Sequence, residues 1–201
     1  MSRPLVIGLA ILGIVVVVGL ILVAWGVGVY NTLVSSDEAV KSAWSQVENQ
    51  YQRRYDLVPN LVETVKGFAK QEREVLENVT AARSRVGQLT VTPEVLTNPQ
   101  AFARFREAQD GLSSALSRLM AVVENYPQLK SNENFLTLQS QLEGTENRIA
   151  VARNRFNEQV REYNTRIRRF PGSLIAGMTG FSEAQYFEAA AGAEQAPQVK
   201  F

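Results

Sequence analysis

From Leu5 to Val29 the chain carries no charged residue and consists almost wholly of Val, Leu, Ile, Gly and Ala. As a helix this run is roughly 37 Å long, enough to cross a hydrocarbon core of about 30 Å with some tilt. Trp25 and Tyr30 stand at its far end, where amphipathic rings favour the headgroup level, and both are candidate membrane-interface residues. A cleaved signal sequence is the competing reading. Its apolar core is usually shorter and ends in a small-x-small site, and none is clear here. The reading adopted is an N-terminal tail over residues 1–4 and an uncleaved transmembrane helix over residues 5–29. Ala24 and Gly28 form a small-xxx-small pair, a spacing that glycine's frequency in membrane helices explains well enough.

Charge sets the orientation. Arg3 and the amino terminus precede the run, whereas Asp37, Glu38 and Lys41 follow it. Counting cations near the ends puts the N-terminus on the cytoplasmic side and the rest of the chain outside, by about one charge. Beyond the run, acidic and basic residues balance. A neutral domain has no field to hold a polyphosphate, so nucleic acid is not expected as a partner. Docking on anionic lipid heads is disfavoured for the same reason.

After Tyr30 the apolar positions recur every three or four residues, the helical period. Leu33, Val40, Trp44, Val47, Tyr51 and Val58 form one stripe, continued by Leu61, Val65, Phe68, Val75, Val79 and Val86. A further helix opens at Asn98-Pro99, a cap residue followed by first-turn proline, and stops at Pro127. The last opens near Ser131-Asn132 and ends at Pro171-Gly172. Each stripe is narrow, close to a coiled-coil seam, and needs partners. The predicted fold is therefore all-α: a transmembrane helix followed by a long antiparallel four-helix bundle over residues 30–170.

Pro59 decides the helix count. It removes a backbone donor and crowds the carbonyl four residues back, which predicts a break near Asp56, with Asp56 capping the next helix. Helices over 31–57 and 60–88 would then match a third over 100–126. One long kinked helix is the alternative, because the heptad register passes unchanged from Val40 and Val47 to Leu61 and Phe68. A similar choice arises after the anchor. Either the membrane helix runs directly into the first bundle helix, or Ser35-x-x-Glu38 acts as a capping box and leaves a hinge. Residues 87–98 read as a loop. Residues 171–188 are rich in Leu174, Ile175, Met178, Phe181, Tyr186 and Phe187 and read as a short helix on the bundle or near the membrane. Residues 189–201 read as a solvated tail.

Chemistry is restricted by what is missing. Without cysteine or histidine there is no disulfide, thiolate nucleophile, histidine-ligated haem or ordinary zinc site. No phosphate loop, GxSxG or nucleophile with an evident base occurs, so neither an enzyme nor a cofactor is expected. Glu72, Glu77, Glu143 and Glu146 offer only an all-oxygen metal cluster, and solvated helix faces explain them better. The densest polar cluster holds Arg53, Arg54, Asp56, Pro59, Asn60 and Glu63. Arg54 falls on a seam position, where a guanidinium must be paired, and Asp56 or Glu63 are the candidate partners. The cluster is then either an ion pair fixing helix register or a pocket for a polar partner. Glu72 also falls on the seam and looks to Arg104, Arg106 or Arg118. Arg166, Arg168 and Arg169 suit the C-terminal end of a helix dipole. Asn78-Val79-Thr80 matches a glycosylation sequon but lies inside a predicted helix.

These residues give the chain its resemblance to the LemA family. The matching stretches are Tyr30-Asn31-x-Leu33-Val34, Ala43 to Val47, and the continuous Arg53 to Gly67. Ala82-Arg83, Tyr163-Asn164, Phe170-Pro171, Gly180-Phe181 and Tyr186-Phe187 extend it along nearly the whole chain. Gln71 departs from it, since relatives often carry histidine there. The resemblance implies a single-pass protein of the bacterial inner membrane with a bundle of four long helices and no established enzymatic activity. It also implies a link to membrane shaping through a magnetosome relative, and to a membrane metalloprotease through neighbouring genes. Two expectations follow: a homo-oligomeric scaffold that organises or shapes the membrane, or an adaptor that binds a membrane-protein partner such as a protease.

Overall fold

The computed structural model describes residues 3–89 and 93–188. Among them are six α-helices and no strand. The expected tail over 189–201 lies outside the described residues. Helix α1 (Arg3–Phe68) is 66 residues long and contains both the apolar run and the first bundle helix. From Ile7 to Val27 its large apolar side chains are exposed all round, and it is the one described helix long and apolar enough to cross a membrane. At Leu33 the pattern changes to a buried seam of Leu33, Val40, Trp44, Val47, Tyr51, Val58, Leu61 and Val65. No hinge separates the two parts. The capping box at Ser35 does not form, and the Ser36 hydroxyl instead donates back to the Thr32 carbonyl at 2.8 Å within the continuing helix.

The break expected at Pro59 does not occur either. The helix passes through it, and Asp56 caps nothing. The chain reverses later, at residues 69–72, where Ala69 N–H donates to Val65 O at 2.9 Å and Glu72 N–H to Ala69 O at 3.1 Å. Helix α2 (Arg73–Gly87) is consequently only 15 residues long, not the segment 60–88. A 3₁₀ turn (Pro93–Leu96) leads to α3 (Pro99–Val123), whose cap Asn98 accepts from Gln100 and Ala101 N–H at 3.0 and 3.1 Å. Helix α4 (Pro127–Lys130) is a single turn. Helix α5 (Glu133–Arg168) is capped by Asn132, which accepts from Phe135 N–H at 3.0 Å, and runs back along α1 for its whole length. Helices α2 and α3 pair with each other and close the up-down-up-down bundle.

The core is two apolar clusters stacked along the bundle axis. The one nearer the apolar run joins Trp44, Val47 and Tyr51 to Phe102, Phe105, Ile149, Phe156 and Val160. The distal one joins Val58, Leu61 and Val65 to Leu112, Leu116, Leu119, Phe135 and Leu142. Burying large aliphatic and aromatic side chains contributes about 1.5–3 kcal/mol each, so these clusters hold the four helices together.

Beyond α5, the Phe170–Pro171 peptide bond is cis and leads to α6 (Gly172–Thr179). The expected short helix accounts for only part of residues 171–188. Gly180, in the left-handed region at φ 81°, ends α6, and residues 181–188 run without helix along α5. There Phe187 stacks on Trp44 with ring centres 6.1 Å apart and also contacts Phe102 and Phe156. Tyr163, 2% exposed, donates its hydroxyl to Ser182 O at 3.1 Å. Burial, and secondarily the nearby Asp37 carboxylate, push its phenol up to about 12. A raised phenol binds its proton more tightly folded than unfolded. Its contribution is therefore complete below the ordinary tyrosine value of about 10 and is lost as pH rises through 12. Thermal melts from pH 9 to 12 should show stability falling in that window. Tyr163→Phe should start lower by about 1 kcal/mol and fall less steeply.

Candidate functional site

The helical seam of α1 is interrupted by arginine at position 54, and its neighbours in the bundle are polar at the same level. Arg54 is 0% exposed, Gln109 of α3 3% and Thr145 of α5 0%. Together they form a layer between the two apolar clusters. Arg54 Nη1 donates to Ser113 Oγ at 2.5 Å and to Glu146 Oε1 at 3.0 Å. Its Nη2 donates to the Gln109 carbonyl at 3.1 Å and also to the Gln109 side-chain oxygen. Arg54 Nε is the buried polar side-chain atom without a hydrogen-bond partner among the described residues. The guanidinium lies 5.1 Å from the Tyr51 ring centre, within cation–π range. A buried guanidinium needs acceptors at set positions, and here they come from α3 and α5, so the layer ties α1, α3 and α5 together at one level.

The pairing expected from sequence differs from this geometry. Asp56 is exposed and accepts from Gln52 Nε2 at 2.8 Å, and Glu63 is exposed and pairs with Lys66 at 3.2 Å. Each sits on the helix's own surface, whereas Arg54 points inward, because α1 is not broken between them. Arg53, Pro59 and Asn60 are exposed as well. Glu72 is likewise not met by arginine: the Tyr126 hydroxyl donates to it at 2.8 Å. Glu77 and Glu143 lie on exposed faces, and no acidic group of three or more gathers among the described residues.

Pro59 is accommodated by a residue far along the chain. Proline has no N–H for the carbonyl of Tyr55, four residues back. Arg83 of α2 supplies the donor: its Nε reaches Tyr55 O at 3.2 Å, and its guanidinium lies 3.8 Å from the centre of the Tyr55 ring. Arg83 thus offsets the lost ladder bond and ties α2 to α1. This arrangement makes a double-mutant cycle informative. Arg83→Ala alone should cost about 1–2 kcal/mol, as the hydrogen bond to a part-buried carbonyl and a cation–π contact are lost. In a Pro59→Ala background the restored N–H takes the Tyr55 carbonyl, so the same change should cost about 1 kcal/mol less. Equal costs in both backgrounds, from urea melts, would remove Arg83 from this role.

Beside the layer, a cavity of 320 Å³ is lined by Glu48, Tyr51, Tyr55, Gly87, Phe105 and Gln109. Burial pushes the Glu48 carboxyl up, opposed by a hydrogen bond with Trp44. Tyr51 is held from the other side by Arg153, whose Nε reaches its hydroxyl at 2.5 Å. Arg166, read from sequence as a dipole partner only, also donates to the buried Ser36 hydroxyl at 2.6 Å.

Sequence reasoning missed a second constellation. Asn164 Nδ2 donates to Ala184 O and its Oδ1 accepts from Ala184 N–H, both at 2.9 Å. One heptad earlier, Asn157 holds Phe187 O at 2.8 Å and Phe187 N–H at 2.9 Å in the same manner. Seven helical residues rise about 10 Å, close to three residues of extended chain, so the two side chains match the extended backbone's spacing. The available signal was asparagine at positions 157 and 164, one heptad apart on α5.

A model of the LemA family matches residues 43–201. Magnetosome proteins MamQ 1 and MamQ 2 of Paramagnetospirillum magneticum are each 30% identical over 175 residues, covering 79% of this chain and 64% of their own length. Magnetosome protein MamQ of Magnetospirillum gryphiswaldense is 31% identical over 174 residues, with the same shares covered. Protein LemA of Metamycoplasma hominis is 22% identical over 163 residues, 81% of this chain and 70% of its own. The chain thus spans a little under two thirds of the length of the magnetosome relatives.

Proposed function

We propose that this chain, which belongs to the LemA family, is a non-enzymatic, membrane-anchored helical-bundle protein that self-associates and organises or shapes the membrane that holds it. One observation carries the reading: α1 continues without a hinge from the apolar run into the buried seam. A bundle on such a helix keeps one orientation relative to the span, so neighbours meet with the same faces at the same height above the membrane. Anchoring supplies the rest, because chains confined to a surface meet at high effective concentration and weak contacts suffice. The likeness to magnetosome proteins, named for a cellular structure, supports an organising part. The cation count near the ends of the run supports an N-terminus on the cytoplasmic side with the bundle outside, and the bacterial relatives support the inner membrane of a bacterium as the place.

The full chain, reconstituted in liposomes and imaged, tests this. Regular assemblies and a changed vesicle outline are expected. A strictly monomeric particle on vesicles of unchanged shape would sink the proposal.

A second reading, an adaptor for a membrane-protein partner, rests on a different feature. At the distal end, α1 and α2 enclose a 790 Å³ groove lined by Val62, Glu63, Lys66, Lys70, Arg73 and Leu76. It sets an apolar floor inside a rim of three cations and two carboxylates, Glu63 and Glu77, and lies far from the apolar run. Lys66→Glu with Arg73→Glu should abolish capture of a partner under this reading, with the vesicle assemblies unchanged.

A further inference from the structure

Helix α6 packs the opposite way from an ordinary bundle helix. Its small residues face inward: Gly172 and Ala176, four apart, are buried. Ile175 packs half-buried against the core, whereas Leu174 and Met178 face outward, 55% and 76% exposed, and Phe170 just before the helix is 78% exposed. The helix carries no charge. Close approach is built into the fold, because a Cβ at Gly172 would lie 2.1 Å from the Arg166 carbonyl oxygen and 3.8 Å from Leu33. A side chain there would push α6 off the bundle.

The level at which this happens identifies the surface. Phe170 meets Trp25 with ring centres 6.4 Å apart, and Phe181 meets Tyr30 at 5.9 Å. Trp25 and Tyr30 close the apolar run. If the twenty residues Leu5 to Ala24 fill a hydrocarbon core of about 30 Å, then residues 25 to 33 rise through the next 12 Å or so, the headgroup layer. Helix α6 sits beside that stretch. The exposed apolar patch of Phe170, Leu174 and Met178 is therefore continuous with the exposed apolar surface of the span itself. Arg168 and Arg169, both exposed, immediately precede it; Arg168 lies 3.8 Å from Glu183, and Arg169 makes no ion pair with a described residue. Cations above an apolar patch match phosphates above acyl chains.

We propose that Phe170 and α6 form a second membrane contact: a foot lying in the bilayer interface beside the span, with Leu174 and Met178 inserted among the outer acyl carbons. It rests on the anchoring part of the function proposed above and not on self-association. Two contacts set apart laterally would fix the bundle's tilt and rotation, which one helix alone leaves free to turn about its axis. The foot also adds volume to one leaflet only.

The absence of native cysteine makes the test direct. Single variants Leu174→Cys, Met178→Cys, Val15→Cys and Lys66→Cys of the full chain, labelled with a small environment-sensitive fluorophore, are reconstituted in phosphatidylcholine vesicles. Lipids brominated at shallow or deep acyl positions serve as quenchers. The expected result is blue-shifted emission at 174 and 178, lost mainly to the shallow quencher, with position 15 quenched by the deep one and position 66 by neither. Water-like emission at 174 and 178 with position 15 still quenched would overturn the foot and leave the anchor standing. Water-like emission at position 15 would overturn both. Blue-shifted but unquenched emission at 174 and 178 would replace the bilayer by a second copy of the chain.

Discussion

Replacing Arg54 by alanine is expected to lower the stability of the folded bundle by about 3–5 kcal/mol, among the largest losses of any single substitution in this chain. Two effects act together. The change removes a fully buried side chain and leaves a cavity, and it leaves the Gln109 carbonyl, the Gln109 side chain and Ser113 without their donor. Glu146 suffers less, since its side chain is 40% exposed and water can replace the arginine. Urea unfolding of the full chain in detergent micelles, followed by far-UV circular dichroism, measures the loss. The layer need not be stabilising overall, because a buried ion is expensive to desolvate and one of its donors stays unpaired. The triple variant Arg54→Met, Gln109→Leu, Ser113→Ala fuses the two apolar clusters and should recover most of the loss or exceed the parent. What it should forfeit is register: helices that can slide by a turn give broadened amide resonances. A single alanine variant that melts like the parent but loses a binding partner would instead make Arg54 a recognition residue.

Arg54 also marks how far the sequence could be read. Its place on the seam was visible from the heptad spacing, as was its need for a partner. The partners were not, because Ser113, Gln109 and Glu146 lie on other helices and spacing along one helix gives no pairing across helices. Nearby Asp56 and Glu63 were attractive only if the chain bent at Pro59. There the local rule for proline pointed to a break, and the unbroken register from Val40 to Leu61 pointed against it. The register was the better guide, since it sums many buried side chains against one missing hydrogen bond. That bond was then replaced by Arg83, a residue no local rule could connect to Tyr55. The long apolar N-terminal helix, the all-helical class and the caps at Asn98 and Asn132 were legible because each depends on residues adjacent in sequence. The extended segment after Gly180 was not, because asparagine on a helix face reads as solvated until something lies across it.

That segment supplies the other large effect. Asn164→Ala should cost about 2–4 kcal/mol, because it strips both hydrogen bonds from Ala184 where Asn164 itself is 1% exposed. The chain's response limits the loss: residues 181–188 can peel away and find water instead of staying unpaired. The opening should therefore be local. Amide exchange should accelerate across 181–188, and Trp44 emission should shift to the red as Phe187 leaves its face, with the helical signal nearly unchanged. Asn157→Ala, at a half-buried site, should give a smaller version of the same change, about 1–2 kcal/mol. Asn164→Asp separates hydrogen bonding from shape. A carboxylate keeps the acceptor for Ala184 N–H, but it turns a charge on the Ala184 carbonyl in a buried site where Arg168 reaches only the backbone carbonyl of residue 164, at 3.4 Å, so at neutral pH the loss should match or exceed that of alanine. Protonation supplies a donor and removes the charge. The folded carboxyl's pKa is raised by this environment, so the Asp variant should regain stability as pH falls through that value. If the Asp and Ala variants have the same pH profile, the paired hydrogen bonds are not what holds the segment down.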